Sequence, residues 1–213
     1  MHLAMRSLRR SLSLLLGIAI PLFLVACNSA VELPILGERS LIKGDTLYHT
    51  IAPFSFINQE GEQVSDDEYK NQVYIADFFF TTCPGICPVM TSELTRVQRV
   101  IKEEGLPIKI LSHTVDPETD QVEVLKAYGQ KNQADFKIWQ FVRGTKKQIY
   151  DQALSYLVVA MEDTTQQIPF VHSDKLVLVD DQGRIRGMYS GIDPLEVDQL
   201  IEDMINLTDD NGR

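Results

Sequence analysis

Residues 73–80 read Val73-Tyr74-Ile75-Ala76-Asp77-Phe78-Phe79-Phe80, an almost unbroken apolar and aromatic run. A strand without polar alternation has to be buried on both faces, as in the centre of a parallel sheet covered by helices. The run leads directly into Thr81-Thr82-Cys83-Pro84-Gly85-Ile86-Cys87-Pro88. Met90, Leu94, Val97 and Ile101 then recur at helical spacing, and Gly105 supplies a stop. Pro88 suits a first helical turn, where its missing N–H is harmless. The two cysteines, four positions apart, therefore fall between a buried strand and a helix N-terminus, where thiolates are stabilised and directed outward. Such a pair can close a disulfide, hold a soft metal, or do both at different times.

The remaining pattern fills in a layered domain. Residues 108–115 read as a second strand closed by Asp116-Pro117, residues 137–142 as a third, and Val122, Leu125 and Tyr128 mark a shorter helix between them. Thr145-Lys146-Lys147-Gln148 is a capping-box pattern that opens a helix reaching about Leu157. Residues 175–180 and 184–190 flank Asp181-Gln182-Gly183, a hairpin signal, and Asp193-Pro194-Leu195-Glu196 caps a last helix bearing Leu200, Ile201, Met204 and Ile205. Ahead of these, residues 54–57 and 62–64 suggest a short hairpin turning at Gly61, and residues 65–70 one helical turn. Short crossovers demand parallel early strands, while the late hairpin is antiparallel. The expected class is α/β: a thioredoxin-like three-layer α/β/α domain with a mixed central sheet and an N-terminal β-hairpin.

The first residues do not belong to that domain. Arg6, Arg9 and Arg10 precede an uncharged apolar stretch, residues 11–26, interrupted by Pro21 and ending Leu24-Val25-Ala26-Cys27. The pattern is that of a secretory signal, and its end resembles a bacterial lipobox, in which Cys27 is lipidated and becomes the new N-terminus. An uncleaved anchor fits less well, since the stretch falls short of the roughly 20 residues that span a bilayer comfortably. The expected organisation is a lipoprotein signal peptide over residues 1–26, a membrane tether over 27–47, the folded domain over 48–208 and a polar tail over 209–213. The location that follows is the bacterial cell envelope, with the domain outside the cytoplasm. Removing the signal takes three Arg and no acidic residue, shifting the formal net charge from -10 to -13. So acidic a chain, without a basic cluster, is a poor nucleic-acid binder.

Anchor accounting leaves Cys83 and Cys87 as the only thiols of an exported domain. An oxidising compartment ordinarily implies a structural disulfide, yet a loop this small restricts the unfolded chain only modestly. A functional pair is the better reading. Soft thiolates favour Cu(I) and also Zn(II), whereas stable Cu(II) calls for a harder imidazole as well. Of the histidines, His2 leaves with the signal and His49 lies near the tether, where it is expected to be exposed and incidental. His113 sits inside an apolar run as a core or edge-strand residue. His172 directly precedes the strand at residues 175–180, and in a thioredoxin-like sheet the loop before that strand lies beside the cysteine loop. A two-Cys, one-His zinc site leaves an open position, but no general-base glutamate motif accompanies it.

Residues 79–88, Phe79-Phe80-Thr81-Thr82-Cys83-Pro84-Gly85-Ile86-Cys87-Pro88, resemble the signature of the Sco (SenC) proteins. Thr114-Val115-Asp116-Pro117-Glu118-Thr119-Asp120 matches the second motif of that family, and Val171-His172-Ser173 the third. The resemblance covers residues 51–205. It implies a membrane-tethered copper protein that assists assembly of the binuclear copper site of cytochrome c oxidase, with the oxidase's copper-binding subunit as partner. It also implies thiolate ligands from Cys83 and Cys87, an imidazole ligand from His172, and a structural or second-shell place for Asp116. A monomer is expected. Two working modes stay open: copper delivery, or thiol–disulfide reduction in which Cys83 and Cys87 are the catalytic redox pair and cycle through their mutual disulfide. A passive binding module with that disulfide permanently closed is the third.

Overall fold

The computed structural model describes residues 32–162 and 170–211. Eleven strands, four α-helices and one 3-10 turn (Asp66–Tyr69) are described: β1 (Arg39–Ile42), β2 (Asp45–Tyr48), β3 (Ser55–Asn58), β4 (Gln63–Ser65), β5 (Val73–Phe79), α1 (Cys87–Glu104), β6 (Ile108–Thr114), α2 (Val122–Lys131), β7 (Trp139–Arg143), α3 (Lys146–Ser155), β8 (Ala160–Glu162), β9 (Phe170–His172), β10 (Lys175–Val179), β11 (Ile185–Ser190) and α4 (Pro194–Asn211). A seven-stranded sheet runs in the order β11-β10-β5-β6-β7-β3-β4. β5, β6 and β7 are mutually parallel, and the strands outside them pair antiparallel. The α/β class, the mixed sheet and the hairpin β3–β4 match the sequence expectation.

Every residue of β5 is buried, as its composition demands. Its alternate faces serve two layers. Asp77 and Phe79 look toward α1 and α2, where Tyr128 of α2 packs 5.3 Å from Phe79. Phe78 looks the other way, toward Tyr156 just after α3, at 5.8 Å. α1 buries Met90, Leu94, Val97 and Ile101 at its i, i+4, i+7 and i+11 positions, each side chain contributing about 1.5–3 kcal/mol of hydrophobic stabilisation. The helix stops where Gly105 takes a left-handed φ of 65° and returns its N–H to the Ile101 carbonyl. At α3 the capping box forms as read from the sequence, with Thr145 accepting from the Gln148 N–H.

The N-terminal stretch departs from expectation. Residues 27–47 were expected to serve as a membrane tether; within and just beyond them β1 and β2 form a hairpin through Lys43 and Gly44, both at positive φ (54° and 94°). Residues 33–36 run along β11 instead of floating: Leu36 donates to Ile185 O at 2.9 Å, and the Arg186 guanidinium donates to the Pro34 and Leu33 carbonyls at 3.1 and 2.5 Å. Arg186 is held in turn by the buried Asp180 carboxylate at 3.2 Å. These are backbone attachments, and they leave no hydrophobic period to read. His49 is likewise not incidental: it is half-buried and its Nε2 donates to Ser155 O at 2.7 Å. At the other end, α4 runs on through Asn211, into the residues read as a tail.

Candidate metal centre

β5 ends at Phe79, and a turn follows in which Cys83 N–H donates to Phe80 O at 3.2 Å. Cys83 is half-buried; Cys87, the first residue of α1, is 1% exposed. Both carry thiols, with no disulfide between them. Burial pushes the Cys87 thiol pKa far up, and its hydrogen bond with the Cys83 thiol adds to the rise, against a weaker backbone hydrogen bond at Phe80. The thiolate stabilisation expected of a helix N-terminus is therefore reversed at Cys87, because desolvation outweighs it. The pair is asymmetric: one thiol reaches the surface, the other sits under it.

Beneath the pair lies a carboxylate that the sequence reading passed over. Asp77 is 2% exposed and its Oδ1 accepts from Ser112 Oγ at 2.5 Å. Ser112 Oγ in turn accepts from Trp139 Nε1 at 2.8 Å. Burial raises Asp77 to about 7, with the Ser112 bond opposing. Its charge acts on Cys87 and on Tyr128. Tyr128 itself shares a 2.7 Å hydrogen bond with Thr91 and is pushed up to about 12, mainly by burial. The charges of Cys87 and Cys83 also act on it, so Tyr128 borders the pair from the α2 side. A lone Asp within an apolar strand was the available signal for Asp77; nothing in a helical Tyr marked Tyr128.

The second motif folds back onto the cysteine loop, but through Asp120. That residue is fully buried, and its Oδ2 accepts from the Thr81 N–H at 3.1 Å and from Thr114 Oγ1 at 2.5 Å. Its Oδ1 accepts from the Thr81 hydroxyl. Burial raises its pKa against these three bonds. Arg143 fastens the same loop from below, donating to the carbonyls of Asp120 and Pro117 at 3.1 and 2.7 Å. Asp116, 8% exposed, accepts from Thr119 N at 3.3 Å within its own turn. Its described side-chain bond stays within its own loop.

His113 is a core residue on a central strand. It is fully buried, stacked on Phe78 at 4.7 Å, and its Nδ1 donates to Asp77 O at 3.2 Å. Nε2 has no hydrogen-bond partner, and burial lowers the ring to about 4. It is no ligand candidate. His172 ends β9, two residues before Asp174, whose carbonyl accepts from Gly191 N at 2.7 Å. Gly191 packs against Met90 in the first turn of α1, so the chain leaving His172 arrives at the cysteine end of the sheet. The His172 side chain, Cys27 and the signal segment lie outside the described residues. Among the described residues no three His, Cys, Asp or Glu side chains gather as a metal site, and no helix is long and apolar enough to cross a membrane. A cavity of about 720 Å³ lies beyond the Asp116 turn, lined by Phe56, Ile57, Pro117 and Arg143, and neither cysteine borders it.

The family model described as SCO1/SenC matches residues 43–209. The chain belongs to that family. The SCO1 protein homolog of Bacillus subtilis (strain 168) is 33% identical over 184 residues, covering 86% of this chain and 90% of that one. The solved structure of BsSco, described as a member of the Sco family of cytochrome c oxidase assembly proteins with a disulfide switch, has a TM-score of 0.68 at 32% identity and covers 80% and 99% of the two chains. Bradyrhizobium japonicum ScoI, solved with copper bound, has a TM-score of 0.62 and covers 74% and 99%; at 22% identity it shows the shared Sco fold alone.

Proposed function

We propose that this Sco protein is an envelope copper metallochaperone, anchored through lipidated Cys27, that assists assembly of the binuclear copper site of cytochrome c oxidase. The carrying observation is the reduced, hydrogen-bonded pair of Cys83 and Cys87 at a strand-to-helix junction, one thiol accessible and one buried. Copper is cargo here. The two sulfurs and the His172 imidazole are its donors, a set whose softness suits Cu(I) and whose imidazole accommodates Cu(II). Loading requires the Cys87 proton to leave a site that strongly retains it, so uptake releases protons and weakens in acid.

A second reading, thiol–disulfide reduction of the partner's copper-binding cysteines, is favoured by the same asymmetry. Cys83 is placed to attack and Cys87 to resolve. Anaerobic titration of the reduced chain, carrying Cys27→Ala, with Cu(I), Cu(II) and Zn(II) separates the two. The chaperone reading expects one tightly held copper, sulfur-to-Cu(II) charge-transfer absorption lost in either Cys→Ser variant, and an altered spectrum in His172→Ala. Full copper binding by both Cys→Ser variants would sink it. Weak copper binding alongside rapid reduction of a disulfide substrate would make the protein a reductase.

A further inference from the structure

The cysteine end of the domain carries exposed apolar side chains on one side of the pair. Val89, in the first turn of α1, is 47% exposed; Ile192, in the turn from β11 into α4, and Leu195, in the first turn of α4, are 41% and 77% exposed. They lie on the two helices, and the turn between them and the sheet, that pack together at this end. A Cβ at Gly191, next to Ile192, would lie 3.1 Å from Met90 Cγ, the side chain following Val89. One α1 face bears Val89, Glu93 and Arg96 at helical spacing, and Arg96 donates to Pro194 O at 3.4 Å and Asp198 at 2.6 Å. The same face therefore meets the start of α4, where Leu195 stands. Pro84 and Pro88, also exposed, lie along the chain between Cys83 and Val89.

The net charge of this face is negative. Glu93 on α1, Glu196 and Asp198 on α4, and Asp174 and Asp193 in the adjoining loops are its acids. Of the nearby bases, Arg96 is taken up by Glu93 and Asp198, and Lys175 lies 3.9 Å from both Asp174 and Glu196. What remains is an apolar patch in a negative rim, continuous with the accessible thiol.

We propose that this α1–α4 face is where a thiol-bearing partner seats, and that the segment it accepts carries apolar residues beside its cysteine and Lys or Arg around them. The proposal rests on the reading that Cys83 exchanges directly with partner sulfur. That contact forces the partner's surface to continue past Cys83 on some side, and among the described residues this side combines exposed apolar area with a charge that selects. Rim charge governs encounter rate and the apolar centre governs residence.

The probe is a pair of cysteine peptides activated as 2-pyridyl disulfides, Lys-Leu-Cys-Ile-Lys and Glu-Ser-Cys-Ser-Glu, with methyl 2-pyridyl disulfide as a small neutral control. The protein is the reduced full-length chain carrying Cys27→Ala, in detergent. The Cys83 thiolate attacks the peptide sulfur and expels 2-thiopyridone, forming a mixed disulfide. Cys87 sulfur then displaces the peptide thiol and closes the disulfide with Cys83. Two electrons pass to the substrate disulfide, and the two thiol protons leave with thiopyridone and the peptide thiol.

Thiopyridone release should be about tenfold or more faster for the apolar basic peptide than for the acidic one, within the range of electrostatic steering. Leu195→Lys and Ile192→Lys, which remove an apolar side chain and oppose the rim charge, should shrink that ratio while leaving the methyl disulfide rate as in the parent. A ratio the variants leave unchanged, or a fall equal for all three disulfides, overturns the docking face while Cys83 still reacts. No reaction with any of the three removes direct exchange, and the function resting on it, together with the docking face. Concentration-dependent self-association abolished by Leu195→Lys would assign the face to a second copy and also overturn the proposal.

Discussion

His113 and Asp77 make a test of the core that can be worked to a number. The His113 ring is caged by Phe78 at 4.7 Å, Phe56 at 5.6 Å and Tyr156 at 5.4 Å, and burial lowers it to about 4. Between about pH 6.5 and pH 4 the unfolded chain gains a proton there that the folded chain refuses. Stability attached to His113 is therefore present above pH 6.5 and lost as pH falls toward 4. Asp77 has the opposite sign. Burial raises it to about 7, so from about pH 4 to pH 7 the folded chain keeps a proton that the unfolded chain has released. Its contribution is present at low pH and lost as pH rises.

At about 1.4 kcal/mol per pH unit for each group, each slope amounts to on the order of 3 kcal/mol between pH 4.5 and pH 6.5. The two cancel in the parent chain, so neither shows until one is removed. His113→Phe keeps the aromatic cage and forfeits the Nδ1 bond to Asp77 O, a pH-independent cost of about 1 kcal/mol. Relative to the parent it should gain about 3 kcal/mol on going from pH 6.5 down to pH 4.5. Asp77→Asn, which still accepts from Ser112, should gain a similar amount in the opposite direction, and the double variant should run parallel to the parent. Equilibrium urea unfolding of the reduced protein at three pH values measures this, and the background of other carboxylates drops out of the differences. Single variants that run parallel to the parent would refute the assigned protonation states.

Other expectations concern single residues. Asp120→Ala strips the acceptor from Thr81 N–H and both threonine hydroxyls; it should cost about 2–4 kcal/mol by urea unfolding and shift the reduction potential of the cysteine pair, with Asp120→Asn restoring part of both. Asp180→Ala leaves the Arg186 guanidinium uncompensated beneath residues 33–36, and a loss of about 3–5 kcal/mol with faster amide exchange at Leu36 should follow. Gly129→Ala pits a helix-propensity gain of about 1 kcal/mol against a Cβ placed 2.5 Å from Phe136 Cε1 and 2.9 Å from Phe141 Cε2. Overpacking of about 1–3 kcal/mol should win, seen as a lower thermal midpoint.

The parts of the fold legible in the sequence were those written in hydrophobic period or turn chemistry. β5 and α1 announce themselves, and Gly61, Gly105 and Gly183, all at positive φ, punctuate the chain where the sequence placed turns or stops. What stayed hidden is held by backbone groups. The docking of residues 33–36 on β11 and the positive φ of Lys43 leave no pattern, so that stretch read as a tether. Helix-dipole reasoning misjudged Cys87 because only the fold reveals how completely it is desolvated.

The second motif shows the same limit in a sharper form. Read as a string, Asp116-Pro117-Glu118-Thr119-Asp120 offers Asp116 as the acid to watch, since Asp-Pro marks the turn. The geometry moves the weight four residues on. Asp116 spends its described side-chain bond inside its own loop, whereas Asp120 binds the backbone and hydroxyl of Thr81, two residues before Cys83. Buried carboxylates are costly unless their acceptors are filled, and here three donors fill them. One of those donors, Thr114, ends β6, and another is a backbone N–H in the cysteine loop itself. The loop therefore cannot shift without breaking bonds to a fully buried acid. In this chain the second motif acts as the clamp on the first, and the position of Cys83 is set from β6 and the loop that follows it as much as from the strand that precedes it.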